Sequence, residues 1–252
     1  MIRRGLLAVY KPPGITSSDV TQKLKQTLLS QLQTAGVQPR KSYSPNFKVG
    51  HGGTLDKFAE GILVIGIGED CKQLRRFQNN TIKSYEVIGR LGVTTDSLDC
   101  DGAETESKEW THITTSMLER ALQSFHGETT QSAPLYSALK YKGRSSSDYA
   151  REAKTTGITI DIPPKVRQIT ISSLKLKDFS PPSFSVAVTC SSGTYMRSLV
   201  HDIAESLDTV GYVTHLCRTA VGPFTLQHAL RADTEEEELW SLESIKSALR
   251  DF

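Results

Sequence analysis

The stretch Gly61-Ile-Leu-Val-Ile-Gly-Ile-Gly68 is a continuous apolar run and predicts a buried β-strand. A second strand is predicted from Ser84 to Val93, where apolar and polar residues alternate enough to leave one face in water. The apolar run Gly5-Leu-Leu-Ala-Val-Tyr10 is followed by Lys11-Pro-Pro-Gly14 and predicts a strand that ends in a turn. We expect these strands to form the basis of the fold.

Helices are predicted between and after the strands. Thr16-Ser-Ser-Asp19 offers N-cap oxygens to a helix with aliphatic residues on one face. Further helices are predicted at Thr115–Phe125, Tyr195–Leu207 and about Ser241–Arg250, and a hairpin at Val166–Phe179 and Phe184–Cys190. The elements follow one another without a regular βαβ alternation or an internal repeat, which favours an α+β fold with a mixed sheet.

Length and composition predict one large domain or two small ones. The chain has 252 residues, and a hydrophobic content of 37% is enough for a buried core. Residues 31–48 predict a mobile basic loop, and the acidic segment Thr94–Glu109 predicts another loop. A mean hydropathy of −0.32, with no apolar run of roughly 18 residues, predicts neither a membrane span nor a secretory signal. We therefore expect an intracellular protein.

Charge is divided into four blocks along the chain. Residues 1–85 carry 13 Lys and Arg against 5 Asp and Glu, and residues 140–197 carry 10 against 4. Residues 86–139 carry 3 against 9, and residues 198–252 carry 4 against 10. The two basic blocks could form one face that attracts phosphates, as in a nucleic-acid binder, or they could be ordinary solvated surface.

Several familiar site chemistries are excluded. Gly61 to Gly66 has the spacing of a P-loop, but Ile67 and Gly68 follow where Lys and Ser or Thr are required. The sequence has no G-x-S-x-G nucleophile elbow, and its cysteines and histidines lack the spacing of a zinc site. We therefore predict neither a metal site nor a nucleotide cofactor site.

The densest cluster of chemically informative residues is Gly50-His-Gly-Gly-Thr-Leu-Asp-Lys-Phe-Ala-Glu-Gly61. Three glycines in four positions predict a positive φ angle or a close approach to another backbone segment. Asp56 at the end of this loop has two interpretations. It could cap a short helical turn over residues 57–60, or it could be a reactive carboxylate held on a rigid loop.

Five collinear motifs resemble those of the TruB-type pseudouridine synthases. No single motif is specific to this family. The order of the five motifs along the chain, from about residue 5 to residue 228, is specific. The motifs are Lys11-Pro-Pro-Gly-Ile-Thr-Ser17, Val49-Gly-His-Gly-Gly-Thr-Leu-Asp56 with Gly61-Ile-Leu-Val64, Lys83-Ser-Tyr-Glu-Val-Ile-Gly-Arg-Leu-Gly92 with Thr95-Asp-Ser-Leu-Asp99, Gln131-Ser-Ala-Pro-Leu-Tyr-Ser-Ala-Leu-Lys140, and Cys190-Ser-Ser-Gly-Thr-Tyr-Met-Arg197 continued by Leu216 and Arg218-Thr219.

The chain departs from the family pattern at two sites. Lys57 stands where the family usually has proline after its catalytic aspartate, and Ser146-Ser-Asp148 stands where many relatives have bulkier residues. The residues after His228 are too few for the PUA domain that bacterial members commonly append. We therefore expect one catalytic pseudouridine synthase domain over residues 1–252, without a C-terminal PUA domain. The resemblance also implies a mostly antiparallel sheet with flanking helices.

The resemblance implies three catalytic residues, Asp56, Tyr85 and Arg197. Asp56 is the carboxylate close to the sugar of the target uridine, where charge develops as the glycosidic bond breaks. Arg197 pairs with Asp56 and keeps that carboxylate aimed and ionised. Tyr85 lies against the uracil ring and moves a proton at C5. Pseudouridine formation oxidises nothing and consumes no phosphate, so no cofactor and no metal are expected.

The resemblance also implies the RNA contacts. The target base is flipped out of its loop, and His51 fills the gap and stacks on the former neighbours, while Gly52 and Gly53 allow close approach of the RNA. Tyr195 is a wall of the uracil pocket. Lys11, Lys140 and Arg151 are predicted phosphate contacts.

Three functions remain open from the sequence. The first is a stand-alone tRNA synthase, resembling eukaryotic members, that converts uridine 55 in the T-arm stem-loop, as a monomer without guide RNA or membrane. The second is an RNA chaperone that refolds tRNA on the same scaffold. The third is a related synthase that acts on mRNA or mitochondrial rRNA. The expected compartment is the nucleus or mitochondrion for a eukaryotic protein and the cytoplasm otherwise.

Overall fold

The computed structural model of the chain describes residues 2, 4–34, 48–157, 162–231 and 241–250. Its internal contacts form two compact units. The first unit comprises Met1–Tyr85 and Cys217–Phe252, and the second unit comprises Glu86–Leu216. That residues 1–252 act as a single catalytic domain stays a prediction.

The regular elements are distributed along the whole described chain. The strands are β1 Gly5–Lys11, β2 Val49–His51, β3 Glu60–Ile67, β4 Lys83–Leu91, β5 Val93–Thr95, β6 Glu104–Ser107, β7 Gly127–Ser132, β8 Lys140–Tyr141, β9 Arg144–Ser145, β10 Val166–Ser180, β11 Ser183–Cys190, β12 Gly211–Val221, β13 Phe224–Thr225 and β14 Leu230–Arg231. The helices are α1 Ser17–Thr34, α2 Leu74–Asn79, α3 Thr115–Ser124, α4 Ser146–Thr156, α5 Met196–Glu205 and α6 Leu242–Ala248, with 3-10 turns at Gly68–Gln73 and Leu226–His228.

The first unit is built around the antiparallel pair β1 and β3. Their register runs from Gly5 opposite Ile67 to Lys11 opposite Gly61. Strand β2 pairs with β3 in antiparallel orientation, and β14 pairs with β1 in parallel orientation. The end of β12 is parallel to β3, with Arg218 opposite Gly61. The strand that follows the glycine-rich loop is therefore paired with three other strands, β1, β2 and β12.

Both faces of the β1–β3 pair are buried, which explains the continuous apolar run of β3. Alternate residues such as Leu7 and Leu63 pack with α1 and α6 on one face. The intervening residues such as Ala8 and Ile62 pack with α2 and with residues of β12 and β13 on the other face. The packing fixes the position of Glu60, where β3 leaves the loop that carries Asp56.

The second unit contains most of β4 and the first part of β12, and these two strands stand with β7, β10 and β11 in the order β12–β4–β11–β10–β7. Strands β10 and β11 form the long predicted hairpin, with Ser180 opposite Ser183 at its tip, and β7 is antiparallel to β10. Two small antiparallel hairpins, β5–β6 and β8–β9, complete this unit with helices α3, α4 and α5. Antiparallel pairs outnumber the parallel ones among the described strands. The prediction of an α+β fold with a mixed, mostly antiparallel sheet is confirmed.

Two loop predictions need correction. Helix α1 continues to Thr34, so the predicted basic loop at residues 31–48 begins with helix, because residues 31–34 extend the regular turns of α1. Residues 35–47 lie outside the described residues. The predicted loop Thr94–Glu109 contains the hairpin β5–β6, in which Val93 pairs with Ser107, so exposed acidic residues do not prevent strand pairing there. Within the described residues, no helix is both long enough and apolar enough to span a bilayer.

Candidate active site

The glycine-rich loop that follows β2 has the strained and crowded geometry that its composition predicts. Gly53 has a φ of +139°, which L-residues rarely adopt. A Cβ atom on Gly52 would lie 2.9 Å from the Cβ of Phe77, so only glycine fits beside α2. The Gly52 N–H donates to the carbonyl of Val64 at 2.8 Å and ties the loop to β3. The expected positive φ is confirmed at Gly53, whereas the close approach at Gly52 is to the side chain of Phe77.

Asp56 lies at the end of this loop and is half-buried. The residue before it, Leu55, is fixed because its N–H donates to the Ser17 hydroxyl at 2.9 Å, at the start of α1. After Asp56 the chain makes a bend in which the Ala59 N–H donates to the Asp56 carbonyl at 3.2 Å, and then enters β3. Because no helical turn follows, the interpretation of Asp56 as a helix cap is wrong. The carboxylate is carried by a loop that is anchored on both sides.

Lys11 is fully buried beside this loop, with 0% exposure. Its ammonium donates to the carbonyls of Pro12 and Ile15, both at 2.8 Å, and of Lys57 at 3.3 Å. Burial lowers the pKa of Lys11 to about 8, and the nearby Asp56 carboxylate opposes that shift. The Lys11 ammonium is thus hydrogen-bonded to backbone carbonyls that shape the loop, and its predicted phosphate contact stays a prediction.

Arg218 on β12 lies beside this loop, and the sequence interpretation gave it no role. It is 3% exposed, and its guanidinium donates to the carbonyls of Ile62 at 2.7 Å, Gly53 at 3.0 Å and Thr54 at 3.4 Å. Burial lowers the pKa of Arg218, and Tyr85 and Asp56 oppose that shift. The sequence feature that could have indicated a buried role for Arg218 is that it is a single arginine in the mostly apolar strand Gly211–Val221.

Tyr85 is buried on β4, with 7% exposure. The strand alternates between buried and more exposed positions, which directs the Tyr85 side chain into the interior of the first unit. Its side chain is hydrogen-bonded to Arg218, which also lies within electrostatic range of Asp56. The structure thus brings Asp56, Tyr85 and Arg218 together within the first unit.

His51 lies on β2, at the entry to the same loop, and is half-buried. Burial lowers the pKa of His51, and the positive charge of Arg218 lowers it further. Both effects favour the neutral form of the ring. Among the described residues, the buried Nδ1 atom of His51 has no hydrogen-bond partner. A neutral, flat ring with little fixed hydrogen bonding is suited to stacking on a base.

In the second unit, Arg197 is buried at the start of α5, with 3% exposure. Its guanidinium donates to the carbonyls of Ser97 and Tyr136, both at 2.7 Å, and forms an ion pair with Asp99 at 3.4 Å. The other Asp99 oxygen accepts from the Ser97 hydroxyl at 2.5 Å. The sequence interpretation missed this carboxylate partner. The pairing of Arg197 with Asp56 stays a prediction.

Tyr195 immediately precedes α5 and is held by Gln131. The Gln131 side-chain amide donates to the Tyr195 carbonyl at 3.0 Å, and the Tyr195 N–H donates to the Gln131 amide oxygen at 2.8 Å. Gln131 is 4% exposed, so this double contact is shielded from water. It fixes the backbone from which Tyr195 and Arg197 project.

The two other predicted phosphate contacts, Lys140 and Arg151, lie on the surface of the second unit, on β8 and α4. Arg151 is 3.5 Å from Asp148, an exposed pair that holds the guanidinium only weakly. The neighbouring Arg144 guanidinium lies 4.8 Å from the centre of the Tyr149 ring. Exposed cations beside aromatic rings suit the binding of a nucleic-acid backbone.

In the described part of the chain, no three His, Cys, Asp or Glu side chains are grouped in a way that could hold a metal ion. Lys11 and Arg218 both lie within electrostatic range of Asp56, and Arg218 is also hydrogen-bonded to Tyr85. The chemistry this arrangement supports is that of an oriented carboxylate beside a tyrosine and a fixed positive charge.

Comparison with known proteins relates the whole chain to one group of enzymes. A family model described as "TruB family pseudouridylate synthase (N terminal domain)" matches residues 40–196. The chain is 41% identical to "Pseudouridylate synthase TRUB1" of Mus musculus over 97% of its own length and 70% of that protein. It is 35% identical to "tRNA pseudouridine synthase B" of Photobacterium profundum over 90% of its own length and 64% of that protein.

Solved structures share the fold at lower identity. The chain aligns with a chain of a Cbf5–Nop10–Gar1 complex with a TM-score of 0.67 and 21% identity, and with a chain of an H/ACA RNP bound to a substrate RNA containing 2′-deoxyuridine with a TM-score of 0.65 and 19% identity. It covers 98% and 99% of its own length in these alignments and 59% of each matched chain. The family model and the relatives together establish that this chain belongs to the TruB family of pseudouridylate synthases.

Proposed function

We propose that this chain is a tRNA pseudouridine synthase that converts uridine 55 of the T-loop to pseudouridine. The observation that carries the proposal is the cluster of Asp56, Tyr85 and Arg218, found in a chain that belongs to the TruB family. The names of the bacterial relatives, "tRNA pseudouridine synthase B", supply the substrate class. We further propose that the chain acts as a monomer, without a guide RNA.

The reaction breaks the N1–C1′ bond of the uridine, turns the freed uracil and joins its C5 to C1′. Asp56 is the carboxylate that faces C1′, where positive charge develops as the bond breaks. Tyr85 lies against the uracil and takes part in moving the proton from C5. Arg197 completes the catalytic set as a buried guanidinium that aims the carboxylate. Each bond change is internal to the nucleotide, so the reaction needs no cofactor.

Access to the sugar requires that the uridine leave its stack. His51 takes the vacated position, where its neutral ring stacks on the neighbouring bases. Gly52 and Gly53 bring the RNA close because they present backbone without side chains. Tyr195 forms one wall of the uracil pocket. Lys140 and Arg151 position the RNA through its phosphates, which fix the register of the complex without selecting its sequence.

Recognition by this site should be confined to the T-arm. We expect an isolated T-arm stem-loop to be modified nearly as fast as whole tRNA, because the proposed contacts all surround one flipped uridine. The measurement is the rate of pseudouridine formation on the two RNAs at one salt concentration, with a stem-loop carrying cytidine at the target position as the control. Modification of full-length tRNA alone would show that distant arms are required and would contradict the proposed site.

Replacing His51 with alanine should impair base flipping more than chemistry. The loss of stacking should cost roughly 1–3 kcal/mol on a T-arm with an ordered loop. On a T-arm whose target loop is already unstacked, the same substitution should reduce the rate less. Single-turnover rates on the two RNAs test this difference. Equal losses on both RNAs would rule out a role for His51 in replacing the flipped base.

A further inference from the structure

Arg218 is a buried cation to which the proposed reaction assigns no step. Burying a guanidinium is costly unless its donors find acceptors. At 3% exposure, Arg218 meets that requirement with backbone carbonyls and with Tyr85. The identity of those partners therefore indicates what the residue does.

The first group of partners fixes the loop that carries Asp56. Arg218 Nε donates to the Ile62 carbonyl of β3 at 2.7 Å, and the two terminal nitrogens donate to Gly53 at 3.0 Å and Thr54 at 3.4 Å. A Cβ atom on Gly53 would lie 3.8 Å from Arg218 Nη1 and 3.5 Å from Lys83 Nζ. The guanidinium thus joins the glycine-rich loop to the strand that follows it.

The second partner is Tyr85. A guanidinium has donors and no acceptor, so the Tyr85 oxygen must accept the hydrogen bond between the two side chains. The hydroxyl hydrogen of Tyr85 therefore points away from Arg218. One planar side chain fixes the direction of the Tyr85 hydroxyl and the backbone two and three residues before Asp56.

We propose that Arg218 is a positioning residue for pseudouridine formation, which holds the Gly53 and Thr54 peptides and the Tyr85 hydroxyl in the orientations that the reaction requires. The inference rests on the proposed function. Lysine at this position keeps the positive charge but has neither the planar fork nor enough donors to reach all of these partners at once. The geometry, and not only the charge, is the property that Arg218 supplies.

The test is a double-mutant cycle with Tyr85→Phe, which removes the accepting oxygen and keeps the ring. Arg218→Lys should lower the single-turnover rate by at least about tenfold, with the Kd for the T-arm within about threefold of wild type. In the Tyr85→Phe background the same substitution should cost at least about threefold less than it does in the wild type, because the contact with Tyr85 is already lost and only the loop contacts remain to be broken. A purely structural role would give the same factor in both backgrounds and would overturn the proposal.

Two controls keep the outcome interpretable. Arg120→Lys, on the exposed surface of α3, should change neither rate nor affinity. If Arg218→Lys does not fold, Arg218→Gln, which retains a neutral amide donor, enters the same cycle. A wild-type chain that makes no pseudouridine refutes the proposed function itself. If the wild-type chain makes pseudouridine but Arg218→Lys lowers the rate by the same factor with and without Tyr85→Phe, only the role of Arg218 is refuted.

Discussion

Gly61→Ala should destabilise the first unit by about 3 kcal/mol or more. Gly61 has a φ of +107°, and a Cβ atom there would lie 2.3 Å from the carbonyl oxygen of Arg218 and 2.6 Å from its nitrogen. Neither atom can move away easily, because both belong to the backbone of β12, which pairs with β3 at this residue. The strained φ and the clash each cost about 1–3 kcal/mol. Chemical denaturation of the variant and the wild type measures the combined loss in the free energy of unfolding.

Gly14→Ala is the matched control. Gly14 lies in the same unit with a φ of +87°, but nothing lies within 4 Å of a Cβ atom built there. It should therefore show only the conformational cost, about 1 kcal/mol. The pairing of Gly61 with the Arg218 backbone also determines where the Arg218 guanidinium lies. The Gly61→Ala variant should therefore lose activity even under conditions in which it stays folded. Equal destabilisation by the two substitutions would show that the close approach of β12 to β3 is not required.

Asp56→Asn should abolish pseudouridine formation while tRNA binding persists. Asparagine keeps the size of the side chain, and the anchors of the loop are backbone and Ser17 contacts that the substitution leaves intact. Only the negative charge is lost, so the rate should fall by on the order of a thousandfold or more. Affinity should stay within about tenfold, which corresponds to roughly 1.4 kcal/mol.

The matched control for this substitution is Asp178→Asn on the exposed part of β10. It should leave both rate and affinity at wild-type values. The assay follows pseudouridine yield beside a binding isotherm at one fixed salt concentration, because phosphate contacts are salt-sensitive. A folded Asp56→Asn variant that binds tRNA and reacts at the wild-type rate would remove Asp56 from the mechanism. Loss of binding together with activity would make Asp56 a structural residue.

Local patterns in the sequence were sufficient to predict the main elements. The alternation of β4, the apolar run of β3 and the turn between β10 and β11 each specify a strand through contacts that are close in sequence. Glycine was predicted to be required in the loop before Asp56, and Gly53 has the positive φ that this implies. Predictions of this kind depend on properties that a short segment carries by itself.

The contacts that complete the site depend on residues far apart in sequence. Arg218 reaches Gly53 across 165 positions, and Arg197 reaches Ser97 across 100. No local pattern gives the register that places Arg218 opposite Gly61. The carbonyl partners of Lys11 could not be predicted for the same reason. A lysine before two prolines resembles an exposed phosphate contact, and only the folded chain surrounds it with carbonyls.

The most direct test of the central claim is to incubate the purified chain with an unmodified tRNA transcript and to map pseudouridine at single-nucleotide resolution. The proposed function predicts conversion at position 55, without added cofactor, and none in a transcript that carries cytidine there. A transcript that is bound by the chain and still contains uridine at position 55 after prolonged incubation would contradict it.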